Sequence, residues 1–240
     1  LAQLAATTDG KITAADAKKA ADSDHGIEVA LFGRMVADSK DLNVDSAVQV
    51  AHALSTHAVE IESDYFTAVD DYKLDEDDAG AGMIGTVEFT SETLYRFATV
   101  AVSTLKDNLG DVDLTAQAAS AFVRGFIMSM PTGKQNTFAN NTIPDAVVVQ
   151  IRKGRSASFV GAFEDAVNPA DGGYVEPSCQ ALADYARDCE QVFLGDPVAS
   201  FVTRIGARTE AVGTMGTEMP VDNLVSAVRD QVVSLLRDES

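Results

Sequence analysis

One stretch limits what this chain can fold into more than any other: His57 to Phe97, HAVEIESDYFTAVDDYKLDEDDAGAGMIGTVEFTSETLYRF. Val59–Val69 is rich in β-branched and aromatic residues with frequent alternation, and Met83–Thr90 is a second run of the same kind. Between them, Asp70–Gly82 carries four consecutive acids, Asp75, Glu76, Asp77 and Asp78, followed by Gly80 and Gly82. Alternating runs closed by glycine predict a long β-hairpin. Its loop cannot bury itself, because the carboxylates would have to leave water. The hairpin is therefore expected to protrude and to meet a partner.

The rest of the chain must supply a body for it. At 240 residues with 46% hydrophobic content, there is enough material for one large domain or two small ones with a sizeable core. The formal charge of −19 argues against gripping a polyanion with the whole surface, which would need a basic footprint. An acidic surface more often serves solubility or basic partners. No apolar run approaches the ~20 residues of a membrane-spanning helix, so no membrane partner is expected. LAQLAATTDGK lacks the basic and apolar regions of a signal peptide. The chain opens in helix-like sequence without methionine, which reads as a fragment or the ordered part of a longer chain. Cys179 and Cys189 lie in a helical pattern, and ten residues of helix put them ~15 Å apart. That is too far for a disulfide, so reduced thiols and a cytoplasmic setting are expected.

In order, Leu1–Ala6 and Ala14–Ala21 read as short helices around Asp9–Gly10, with Thr13 as an N-cap. Gly26–Met35 reads as a buried strand, Val44–Leu54 as a helix by spacing, and Thr93–Leu105 as a strand. Leu114–Met130 is an amphipathic helix ended by Pro131 and Gly133. Asp145–Ile151 is a strand, Ser156–Val167 and Pro177–Phe193 are helices, Val198–Ile205 is a strand, and Val221–Leu236 is a helix. This order predicts an α+β fold, an antiparallel sheet covered by helices on one side.

Motifs for chemistry are sparse. Gly80 to Gly85 spells GxGxxG, but a dinucleotide site needs a strand before it and a helix after it. Here an acidic run precedes and the strand-like TVEFT follows. His25, His52 and His57 form no HExxH, and the cysteines do not join them at zinc-site spacing, so no metal or catalytic residue is assigned. No GxSxG, P-loop or CxxC is present, and no cofactor is expected. Lys134, Arg152, Lys153 and Arg155 fall close in sequence, and PTGKQNTF offers amide and hydroxyl donors suited to phosphate oxygens. A solvated polar turn is the alternative for that loop. Phe66 and Met35 are large apolar groups whose ordinary reading is core packing.

IEVALFGRM, VQVAHALSTHAVEIESDYFTAVDD and GTVEFTSETLYRFATVAVSTLKDNLG resemble the backbone subunit of type I-E CRISPR Cascade complexes, the CasC family. PTGKQNTFANN and GGYVEPSCQALADY follow in the family's order and spacing. The resemblance runs from about Gly26 to about Arg187. It implies a non-catalytic subunit that binds CRISPR RNA, assembles with further copies of itself and other Cascade subunits, and kinks the guide periodically. Target DNA is then reached through base pairing in antiviral defence.

The implied fold is a hand. An RNA-recognition-motif-like (ferredoxin-like) palm covers 26–58 and 92–240, with a thumb hairpin at 59–91 and the end of a helical fingers region at 1–25. The family's N-terminal strand and basic guide-gripping segment have no counterpart before Leu1. The implied RNA-binding residues are Arg34, Met35, Phe66, Thr67, Met83, Ile84, Lys134, Gln135 and Thr137, with Met83 and Ile84 as the wedge. Two other classes remain: an acidic protein–protein scaffold whose hairpin binds a basic partner, and a nucleotide-dependent enzyme using Gly80–Gly85.

Overall fold

The computed structural model describes Thr13, residues 26–68 and residues 83–238. The helices expected within 1–21 and the acidic loop of the hairpin lie outside the described residues.

The core is built on a three-stranded sheet of β7 (Ala146–Ile151), β8 (Ala199–Arg204) and β9 (Thr217–Glu218), in the order β7-β8-β9. β7 and β8 are antiparallel, with Val148 opposite Val202, whereas β9 runs parallel to β8. The sequence AVVVQI has no polar face because the sheet is covered on both sides. Val147, Val149, Ile151 and Phe201 pack against the buried Leu224, Val228, Val232 and Leu236 of one helix and Ala116 and Ile127 of another. Ala146, Val148 and Val202 face Cys179, Val175 and Leu182 on the opposite side. The expected one-sided antiparallel sheet is thus corrected to a mixed sheet between two helical layers.

Several expected elements are also corrected. Gly26–Met35 is not a strand: Ile27–Phe32 is a helix (α1), burying Ala30 and Leu31. Periodicity cannot tell helix from strand in so short an apolar run. α1 stops at Gly33, whose φ is 78°; a Cβ there would lie 2.8 Å from the Val44 carbonyl. Val44–Leu54 is not a helix but two strands, β1 (Val48–Val50) and β2 (Leu54–Ser55). Their partners, β6 (Ala98–Val100) and β5 (Leu94–Tyr95), lie far along the chain, and tertiary pairing overrides local spacing. The strand expected over Thr93–Leu105 ends at Val100, and Val102–Leu109 forms a helix, α2, that closes at the left-handed Gly110. Ser156–Val167 holds only a 3-10 turn at Val160–Phe163. Its flanking N–H groups are spent outside the segment: Phe159 donates to the Tyr95 hydroxyl (3.1 Å) and Val167 to the Thr56 carbonyl (2.9 Å).

The long helices stand where their periodicity puts them. α3 (Val112–Met128) is capped by Asp111, whose carboxylate accepts the Leu114 N–H at 2.7 Å. α4 (Val175–Cys189) runs on into a π turn at Glu190–Leu194, and α5 (Val221–Asp238) closes the described chain. A second core joins α1, β1, α2 and α3 through Leu31, Val48, Leu105 and Ala118. Both cysteines are free thiols.

The hairpin is present as β3 (Glu62–Ala68) and β4 (Met83–Phe89), in register from Glu62↔Phe89 to Ala68↔Met83. Together β1/β6, β2/β5 and β3/β4 are successive stretches of one antiparallel ribbon rising from the body. The outgoing arm gains one residue between Val50↔Ala98 and Leu54↔Tyr95, and two more between Ser55↔Leu94 and Glu62↔Phe89. Extra residues of this kind bend and twist a ribbon.

Candidate nucleic-acid interface

β3 and β4 pair over seven positions, about 20 Å of strand, long enough to lie across a single nucleic-acid strand. Alternation sorts their side chains onto two faces. One carries Glu62, Asp64 and Phe66 beside Phe89, Val87 and Gly85; the other carries Ser63, Tyr65 and Thr67 beside Glu88, Thr86 and Ile84. Glu62 to Thr67 are all exposed, as is Ile84. Tyr65 (62% exposed) and Ile84 (63%) make the second face the more open. With Glu62, Asp64 and Glu88 on its arms, the hairpin would repel phosphates. What it can offer a nucleic acid is aromatic and aliphatic surface.

The candidate residues divide among three places. Thr67 and Ile84 are a directly opposed pair, and Met83 pairs through its backbone with Ala68. Phe66 faces the other way from Ile84, with its ring over Gly85. The hairpin is therefore a blade with Phe66 on one side and Ile84 on the other, and these two cannot meet the same face of one base. Arg34 and Met35 lie in the loop after α1. Met35 is 88% exposed, at a cleft of about 340 Å³ shared with Phe32 and Asn43. The Arg34 guanidinium is turned onto the Leu42 carbonyl through Nε (2.9 Å) and Nη2 (2.7 Å), which pins this loop.

Lys134, Gln135 and Thr137 form the third group. Lys134 has a left-handed backbone (φ 60°) and precedes a one-turn helix, Gln135–Phe138, in an exposed loop. Its Nζ lies 5.9 Å from the Phe138 ring centroid, and Phe138 in turn meets Phe89 at 5.8 Å. That aromatic contact brings the loop to the root of the hairpin, on the face that carries Phe66.

Sequence reading missed several parts. Arg96 lies 4.5 Å over Phe126 and donates to Met130 Sδ at 3.4 Å, beside the start of the Lys134 loop. Its only signal was its place in TLYRFA. Tyr65 was passed over beside Phe66, although alternation puts it on the open face. The cation group read from sequence does not survive intact. Arg152 is only 10% exposed in its side chain and is held by Glu190, Gln150 and the Gly195 carbonyl. Lys153 and Arg155 are exposed.

The hairpin's root is a polar cluster. His57 is buried and accepts the Thr93 N–H at Nε2 (3.1 Å). Its Nδ1 lies 2.8 Å from the Ala58 carbonyl, so the ring carries its proton on Nδ1. Nearby, burial raises the Tyr95 phenol above its ordinary pKa, against the lowering effect of bonds from Ser158 and the Phe159 N–H.

Gly85 lies inside a strand, so the helix required by a dinucleotide motif is missing at GxGxxG. Among the described residues, no group of three or more His, Cys, Asp or Glu side chains is arranged to hold a metal ion, and no helix is long and apolar enough to cross a membrane.

Residues 2–227 match the protein family described as CT1975-like protein. A solved chain described as "CRISPR RNA-guided surveillance complex, pre-nicking" is 33% identical, with a TM-score of 0.79 over 94% of this chain and 63% of that one. Another, described as "CRISPR RNA-guided surveillance complex", is 36% identical, with a TM-score of 0.74 over 84% of this chain and 78% of that one. The present chain thus spans about 63% of the length of the first of these. No curated protein matches it.

Proposed function

The chain belongs to the CT1975-like protein family, and from that premise we propose that it is a non-catalytic filament subunit of a CRISPR surveillance complex, of the type I-E CasC kind. It holds CRISPR RNA and kinks it periodically for pairing with target DNA. The observation that carries this reading is the 33% identity and TM-score of 0.79 to a chain of an RNA-guided surveillance complex over nearly the whole of this one.

The site's physics supports the reading. Guided recognition leaves sequence to base pairing, so the protein needs backbone contacts and shape. Lys134, Gln135 and Thr137 supply donors to the guide backbone, next to the blade. Phe66 and Met35 contact bases beside a flipped nucleotide, while Ile84 and Thr67 stand on the blade's other face and Met83 completes the wedge. Arg34 holds the Met35 loop as well as adding positive charge near the RNA. The acidic arms keep phosphates off the blade. Filament growth puts the blade over RNA held by the next copy, and other Cascade subunits cap the filament. The subunit works in the cytoplasm and cuts neither RNA nor DNA.

Expression with companion subunits and a CRISPR array tests this. A discrete guide-length RNA that copurifies, with several copies of the chain per RNA, is the expected result. Protein that purifies free of RNA would point to the acidic scaffold. Cleavage abolished by a single substitution in this chain would overturn the non-catalytic role.

A further inference from the structure

The backbone ladder of the ribbon is broken where the hairpin leaves the body. Between Ser55↔Leu94 and Glu62↔Phe89, six residues of the outgoing arm face four of the returning arm. Beyond the break, Glu62 to Thr67 are exposed, so burial of the outgoing arm does not set the direction of the blade, and the returning arm meets the exposed Lys134 loop through Phe89 and Phe138.

At the break one backbone bond persists, between Thr56 and Thr93, and side chains supply the rest. The Thr93 N–H donates to His57 Nε2, so the imidazole stands where a strand carbonyl would stand. The Thr93 carbonyl accepts from the Thr56 N–H at 2.9 Å and from its hydroxyl at 3.3 Å. Behind this joint lies the start of α4. The Tyr174 ring stacks flat on His57, with centroids 3.6 Å apart and planes 12° off parallel. One turn on, the Ser178 hydroxyl donates to Thr56 Oγ1 at 2.8 Å. Thr56, His57 and Ser178 are all buried.

We propose that His57 and Tyr174 are positioning residues, forming a clamp that sets the angle at which the hairpin crosses the guide RNA. This rests on the RNA-holding role proposed above. The clamp touches no RNA. It acts by tying a flexible break to a rigid helix, so that Phe66 and Ile84 are presented at a fixed place on every copy.

The test is nuclease footprinting of the guide in the assembled complex, comparing wild type with Tyr174→Phe and Tyr174→Leu. Tyr174→Phe keeps the stacked ring and should give the wild-type periodic pattern. Tyr174→Leu should blur the periodicity and weaken RNA binding about tenfold, within the range for losing one stacked base. The milder Ser178→Ala, which removes only the hydroxyl tie, should shift the pattern in the same direction and covers the case that Tyr174→Leu does not fold. A folded variant of either kind with lowered thermal stability but an unaltered footprint would show that the clamp is only structural, and would overturn the proposal. A wild-type protein that protects no RNA would instead overturn the functional reading, and this inference with it.

Discussion

Gly85 lies directly across the ladder from Phe66, and the Phe66 ring fills the space where a Cβ on Gly85 would be. Such a Cβ would come within 2.5 Å of Cζ and 2.8 Å of Cε1. The atoms in the way are the far end of a side chain that can swing. Gly85→Ala should therefore turn the ring off the strand rather than unfold the hairpin. Phe66→Ala is expected to cost ~1–3 kcal/mol of RNA binding, and Gly85→Ala part of that. The double variant should lose no more than Phe66→Ala alone, because both act on one ring. RNA titrations of the three variants decide it: fully additive losses would show that Gly85 does not act through the Phe66 ring, and an unchanged affinity in Phe66→Ala would remove Phe66 from the interface.

Lys134 combines an exposed charge with a left-handed backbone. Lys134→Ala loses the ammonium and keeps the strain; Lys134→Gly loses the ammonium and relieves the strain. If Lys134 touches one phosphate, both variants should reduce the salt slope of log K by about 0.7 on single strands, equally for unrelated RNA sequences. An unchanged slope for both would place the lysine outside the interface.

How much of this could be read beforehand depended on how far each contact reaches along the chain. The hairpin, α3, α4 and α5 were legible because each carries its own period over seven or more residues. α1 and β1 were not. Ile27–Phe32 is too short to show a period, and Val48–Val50 takes its form from Ala98–Val100 fifty residues on. Lys134 was legible as a candidate from the donors of its own loop, and Phe66 through family likeness. The contact that joins their neighbourhoods, Phe89 to Phe138, is a tertiary event with no local signature. The same holds for His57, whose role as a stand-in carbonyl depends on Thr93 and Tyr174.

Arg152 shows what distinguishes a structural cation from a ligand. Its guanidinium is nearly enclosed and shared among Glu190, Gln150 and the Gly195 carbonyl. Glu190→Ala would leave that charge without its carboxylate and should cost about 1–3 kcal/mol in denaturant unfolding. The salt slope of RNA binding should stay at the wild-type value in this variant. A slope that changes by the amount seen for Lys134 would make Arg152 an RNA contact after all.

Cys179 gives the fold an alkaline limit. Burial against Val202 and Val212, with a smaller contribution from the negative charge of Asp145, pushes its thiol pKa up to about 11 from an ordinary value near 9. The folded chain thus keeps a proton that the unfolded chain releases first. Stability from this group is complete below about pH 9 and is lost as pH rises toward 11. Tyr95, also raised by burial, acts in the same direction, so the two losses overlap. Urea midpoints measured across this range should fall with pH in the wild type and fall less steeply in Cys179→Ala, apart from a constant offset for the lost side-chain volume. Asp145→Asn should leave the onset in place, because the unfolded thiol sets it, and should end the fall at a slightly lower pH, because it removes only the minor cause. The thiol should also react slowly with iodoacetamide at pH 8 in the native protein, since the thiolate is the nucleophile. Rapid native-state alkylation of Cys179, or an alkaline slope identical in Cys179→Ala, would show that burial does not hold this thiol neutral.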